Sequence, residues 1–436
     1  MAPPTPSTPV SGVRLSTVVP AEVTGESNQD YKLTNMDLAL KLHYIKGVYF
    51  FAAEAVQGLT TSDLKRPMFP CLSLYYTASG RIRRSETGRP FIKCNDSGVR
   101  IVEAFCDRTI EEWMATDNDL DSFLLAHDQV LGPDLGFTPL VYIQFTWFKC
   151  GGLSVGLSWA HVLGDPFSAS NFINNWAQFT QGHVPCKSLH VPNTNEPECP
   201  PSIPREPFSL KRVDPVGDYW LTTNNCKMET YSFVFTAKQL DTILSESAIS
   251  DLFQSSKISH FEVISAIIWK LLSKIREDSG PRIATICTRK SRNHENEVSS
   301  NKMVFSTVRA DFSVAKGGVD ELAALIAEKQ EGENRWIEGI MECDKGDDQS
   351  NYIAYGANLT FVNMEEANIY GLELKEHKPV YANYTINGVG DEGAVIVLPA
   401  GPDKGSNGRR VTLILPEDQL KELKYMVREE WGTVLR

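Results

Sequence analysis

The run from Gly151 to Pro166 constrains this chain more than any other stretch. Gly151 and Gly152 close an apolar segment and supply a turn. Leu153, Val155, Leu157 and Trp159 then alternate with Ser154, Gly156, Ser158 and Ala160, the period of a strand with one packed face. The small residues on the other face let something approach the backbone closely. His161 ends the strand, Asp165 follows four residues later, and Pro166 opens a helix. A hairpin, a sharp turn and a helix are thereby fixed in order.

Two readings of His161 stand side by side. A neutral imidazole with an ordinary pKa near 6.5 takes a proton from a hydroxyl or amine, so the residue can be a general base. It can equally be a packing residue at a strand end. The bare His-x-x-x-Asp spacing decides little, because with eight histidines it arises by chance roughly once in every two chains of this size. Asp165 either orients the histidine and holds the loop, or simply caps the helix that Pro166 starts.

At 436 residues the chain exceeds one small core, and two domains of roughly 200 residues are expected. A net charge of −12 with no offsetting basic patch argues against nucleic acid as a partner. The 9 cysteines are scattered without a Cys-x-x-Cys pair, so neither a metal site nor a disulfide framework is expected, and the chain reads as cytosolic. No apolar run approaches the ~20 residues that span a bilayer, and the Pro- and Thr-rich start is no signal peptide. Any membrane association then comes through a partner or a shallow contact.

In chain order, Val13 to Val19 reads as a strand, and Thr34 to Asp37 as a capping box opening a helix through Leu38, Leu42 and Ile45. His43 falls in that helix as a surface or packing residue. Arg81, Arg83 and Arg84 read as a solvated basic cluster. Residues 137 to 148 form a long strand that pairs with the one delivering His161. Residues 183–215, rich in Pro, Asn and Glu, read as a crossover loop. The domains are thus 1–182 and 216–436. In the second half, Ser259 to Glu262 is a capping box before an apolar helix, Asp320 to Glu342 is largely helical, and residues 380 to 386 and 394 to 398 are strands. The fold class is α/β, two similar-sized mixed-sheet domains with His161 near the seam.

Ser158 to Asp165, the two halves and the crossover loop resemble the BAHD family of plant coenzyme A-dependent acyltransferases, with its chloramphenicol-acetyltransferase-like fold. The resemblance implies His161 as the base that deprotonates an acceptor attacking an acyl thioester. It makes Asp165 a structural partner, paired with a second-domain arginine for which Arg289 is the nearest match, Lys290 and Arg292 being adjacent. Acyl-coenzyme A would be a substrate, with no tightly bound cofactor.

Two departures stand out. Pro166 replaces the family's glycine after the aspartate. The second motif, Asp-Phe-Gly-Trp-Gly before Lys-Pro, reads Glu373-Leu374-Lys375-Glu376-His377 before Lys378 and Pro379. Charged side chains stand where glycines provide backbone shapes closed to such residues, and carboxylates there would repel a polyanionic coenzyme. A kept histidine motif beside a replaced second motif is similar to the eceriferum/glossy cuticular-wax branch, as are Val13 to Pro20, Met36 to Tyr44, Gly217 to Leu221 and Tyr355 to Asn363. That branch implies a part in extending very-long-chain fatty acids for wax. Its partner is an elongase condensing enzyme, a 3-ketoacyl-CoA synthase, at the cytosolic face of the endoplasmic reticulum, with the nucleus as another location. The alternative is a working acyltransferase with His161 as general base.

Overall fold

The computed structural model describes residues 8–116, 124–183, 206–245, 258–277, 282–289, 300–328, 330–343, 351–401 and 408–431. Its first large sheet has six strands in the order Val10–Val18, Val99–Cys106, Val141–Phe148, Leu153–Ala160, Tyr44–Phe51 and Tyr381–Asn387. Neighbours are antiparallel except Val99–Cys106 and Val141–Phe148. The strand Leu153–Ala160 sits inside this sheet, paired along both edges. Leu153, Val155, Leu157 and Trp159 are fully buried. On the opposite face the chain at Leu125 lies against Gly156, where a Cβ would stand 1.9 Å from the Leu125 carbonyl oxygen. The small residues of this strand therefore serve close backbone packing.

The sixth strand comes from the other half of the chain. Tyr381–Asn387 runs antiparallel to Tyr44–Phe51, from Tyr381 opposite Phe50 to Asn387 opposite Tyr44. The Tyr49 and Tyr384 hydroxyls meet at 2.5 Å between the two strands. Both rings are buried, which ties the halves by packing as well as by backbone bonds.

A seven-stranded mixed sheet forms the second half, in the order Met228–Phe235, Arg409–Pro416, Ala394–Pro399, Leu359–Asn363, Ile283–Thr288, Val304–Arg309 and Glu331–Gly332. One face carries Phe361, Val395, Val397 and Leu413 against the helices His260–Ile275, Val319–Glu328 and Glu417–Trp431. The other face carries Cys287, Val362, Ile396 and Ile414 into the core of the first half. Burial of each such aliphatic side chain contributes roughly 1.5–3 kcal/mol, so the contact between halves is part of the core.

Two expectations are corrected. The capping box of Thr34 and Asp37 forms, but its helix is only Asn35–Ala39, and Ile45 belongs to the strand Tyr44–Phe51. Pairing on both sides of that strand outweighs the helical spacing of Leu38, Leu42 and Ile45. Arg81 is not solvated. It is 3% exposed and donates to the carbonyls of Gly80 at 2.7 Å and Gly98 at 3.0 Å. The stretch from Asp320 to Glu342 is largely helical as expected, in two helices, Val319–Glu328 and Asn334–Cys343, with a short edge strand at Glu331–Gly332 between them.

Candidate functional site

His161 begins a single 3-10 turn, His161–Leu163, directly after the strand Leu153–Ala160. The turn closes at Gly164, whose φ of +149° and close neighbours exclude a side chain. A Cβ there would lie 2.7 Å from the Ser168 Cβ and 2.8 Å from the Ser300 nitrogen. This turns the histidine inward, and it is 1% exposed. Its Nε2 lies 3.0 Å from the hydroxyl of Tyr355, a residue of the second half that is itself fully buried. Nδ1 has no hydrogen-bond partner among the described residues.

Burial pushes the His161 imidazole down to about 4, with its own carbonyl and Asn301 pulling the other way. The ring is neutral at neutral pH. Burial likewise raises the Tyr355 phenol well above its ordinary value. The pair is therefore two neutral, buried groups sharing one proton-bearing contact.

His43 is the second imidazole of this site. It is fully buried, 6.3 Å from the His161 ring and 4.9 Å from the Tyr355 ring between centroids. Its Nε2 accepts from the backbone N–H groups of Ala354 at 3.0 Å and Tyr355 at 3.4 Å. Burial first, and the nearby His161 second, push it down to about 3. The His43 carbonyl in turn accepts from the His161 N–H at 3.2 Å. His43 thus holds the backbone carrying Tyr355 through its side chain and the backbone carrying His161 through its carbonyl.

Asp165 makes its hydrogen bonds to the backbone, not to His161. It is the N-cap of the helix Pro166–Thr180, its carboxylate accepting from the Ser168 N–H at 3.0 Å and the Lys302 N–H at 3.1 Å. Arg289 stands 3.7 Å away, the two side chains 3% and 1% exposed. Burial raises the carboxyl of Asp165, and the Arg289 charge and the two backbone donors pull it back. Lys290 and Arg292 lie outside the described residues. Asn301 links the elements: its amide nitrogen donates to Asp37 at 2.8 Å and to the His161 carbonyl at 2.9 Å. The capping box of the first helix is thus part of the wall behind His161.

The sequence profile of the Transferase family matches residues 9–429. The chain belongs to this family, the BAHD acyltransferases. It is 43% identical to Protein ECERIFERUM 2 of Arabidopsis thaliana over 95% of this chain and 97% of that protein. Identity to Protein ECERIFERUM 26-like of the same plant is 40%, over 97% and 96%. Among solved structures, vinorine synthase superposes with a TM-score of 0.71 at 17% identity, covering 98% of this chain and 99% of the other. TRI101 of F. graminearum, complexed with coenzyme A and deoxynivalenol, gives 0.70 at 16%, covering 93% and 98%. The BAHD fold, two mixed-sheet α/β halves, is therefore the fold of this chain.

The loop in place of the family's second motif keeps a tight turn. Leu374 and His377 exchange backbone hydrogen bonds of 3.0 and 2.9 Å across Lys375 and Glu376. Those two residues have φ of +49° and +66°. The backbone shape read as closed to charged residues is thus reached by them, at a cost of order 1–3 kcal/mol each, and this corrects the sequence reading.

Sequence reasoning did not assign His43, Tyr355 or Asn301 to the site. His43 and Tyr355 fall in stretches that carried the family resemblance, and that was their only signal. Among the described residues there is no group of three His, Cys, Asp or Glu that could hold a metal. None of the cysteines Cys71, Cys94, Cys106, Cys150, Cys226, Cys287 and Cys343 is in a disulfide, and no described helix is long and apolar enough to cross a membrane.

Proposed function

We propose that this BAHD-like chain serves cuticular wax biosynthesis by promoting very-long-chain fatty acid elongation with an elongase condensing enzyme at the endoplasmic reticulum, without acyl transfer at His161. The observation that carries this reading is the Tyr355 hydroxyl seated 3.0 Å from the His161 Nε2, with both side chains buried. A general base must reach the proton of its substrate within hydrogen-bond distance, and here that position is filled from inside the chain. The imidazole held at about 4 is also a base weakened by roughly 3 kcal/mol relative to an ordinary histidine. The eceriferum relatives, alike over nearly their whole length, support the wax role.

A second reading, a coenzyme A-dependent acyltransferase, draws on the same geometry. The Nε2 that meets the Tyr355 hydroxyl is aimed to accept a hydroxyl proton, and an acceptor alcohol would need only to displace that phenol. Co-expression with a condensing enzyme, reading fatty-acid lengths, separates the two. His161→Gln keeps a polar side chain but no base. Product lengths unchanged from the wild type are expected, because elongation does not need the imidazole. Purified protein that moves a long-chain acyl group from coenzyme A to an alcohol, and loses roughly 10²–10⁴-fold in rate with His161→Gln, would establish the transferase instead.

A further inference from the structure

A cavity lies on the face of the strand pair joining the halves that turns away from the main core. Lys46, Val48 and Phe50 point into it from one strand and Tyr381, Asn383 and Thr385 from its partner. The alternating residues Ile45, Tyr49 and Phe51 face the main core. The cavity measures about 60 Å³ and is open at its mouth, room for a carboxylate and the start of an apolar chain whose remainder extends through the mouth. Neither His161 nor Tyr355 lines it.

The lining mixes an apolar wall with two cations and the polar side chains of Thr116, Thr230, Ser232, Asn383 and Thr385. Val48, Phe50, Trp113 and Leu125 supply buried apolar wall. Lys46 is bound to Asp128 at 2.7 Å. Asn383 donates to the Ser232 hydroxyl at 2.9 Å and accepts from Thr412 at 2.7 Å. Arg410 is different. It is 3% exposed, it has no carboxylate partner among the described residues, and its Nε is buried without a hydrogen bond. The guanidinium carbon sits 4.2 Å from the centre of the Tyr381 ring, so the aromatic covers a face of the group and leaves its N–H edge free.

A buried guanidinium without an anion is costly, and the planar fork of N–H donors matches a carboxylate. With Lys46 already neutralised by Asp128, one positive charge remains, which suits a monoanion better than a phosphate dianion. We propose that this cavity is a binding site for a carboxylate carried on an apolar body, with Arg410 holding the carboxylate and the Phe50, Trp113 and Val48 wall holding the body. The site is separate from His161, and it stands or falls independently of whether that residue does chemistry.

Titration calorimetry of the full chain with octanoate and with octan-1-ol tests this, the alcohol having the same body without the charge. Octanoate is expected to bind roughly tenfold or more tightly than octan-1-ol, and Arg410→Met to remove that difference while circular dichroism shows a folded protein. Val48→Phe, which fills the cavity and leaves Arg410 in place, is expected to abolish octanoate binding, and it decides the matter if Arg410→Met does not fold. The proposal is overturned if octanoate does not bind, if octan-1-ol binds equally well, or if octanoate binding is unchanged in either folded variant.

Discussion

Two neutral imidazoles buried side by side make a quantitative demand on stability at acid pH. His161 is held at about 4 and His43 at about 3, against an unfolded value near 6.5. A base whose pKa is lower in the folded chain costs nothing above the unfolded value. As pH falls through 6.5 the unfolded chain takes up protons that the folded chain refuses, and stability is lost until the folded values are reached. At pH 5 each histidine has been carried about 1.5 pH units into this window, worth about 2 kcal/mol at ~1.36 kcal/mol per unit. Asp37 and Asp165, which burial raises, act in the opposite sense, so the total slope mixes several groups. His161→Gln isolates one of them. Urea unfolding of wild type and variant at pH 7 and pH 5 should show the wild type losing about 2 kcal/mol more than the variant over that interval. Equal losses would mean that His161 is protonated in the folded chain, and the neutral Tyr355–His161 pair would have to be abandoned.

Asp165→Ala should lower stability by at least the ~0.5–2 kcal/mol of a lost N-cap, and by more because Arg289 is left buried without its carboxylate; an unchanged urea midpoint would contradict both roles. Glu376→Gly relieves a left-handed backbone at φ +66° on an exposed side chain. It should raise stability by about 1 kcal/mol, readable as an increase in the melting temperature, whereas a decrease would show that the turn is unstrained.

What the sequence made legible follows from the length of its patterns. The strand Leu153–Ala160, the turn at Gly164 and the cap at Asp165 are local, each specified by residues within a few positions of one another. The same holds for the capping box at Ser259 and the helix His260–Ile275. The strand Tyr44–Phe51 was misread in part as helix because its identity depends on partners more than a hundred residues away. His43 shows the consequence. As a helix residue it reads as surface or packing, but at the entrance to that strand it is wholly buried and accepts two backbone hydrogen bonds from the other half of the chain. Arg81 reads as solvated from its basic neighbours, yet carbonyls contributed by the chain at Gly80 and Gly98 enclose it. Contacts between distant segments leave no spacing to read.

The second-motif loop separates two things that residue type alone confounds. Two glycines and a tryptophan at these positions are naturally read as a requirement for left-handed backbone, and Lys375, Glu376 and His377 as its loss. The turn is nevertheless closed by two backbone hydrogen bonds, with Lys375 donating to the Gln57 carbonyl at 2.5 Å and Pro379 buried behind it. Those anchors hold the backbone while the side chains of Lys375, Glu376, His377 and Lys378 are exposed. The loop presents to solvent a carboxylate and an imidazole, Glu376 and His377, between two ammonium groups, Lys375 and Lys378. A coenzyme lying along this loop would meet a carboxylate, and a partner protein lying there would meet a dense polar surface. Tyr355 at Nε2 closes the site from within, and the charged turn alters its approach from outside. The two features bear on the proposed accessory role through independent physics, one inside the site and one at its surface.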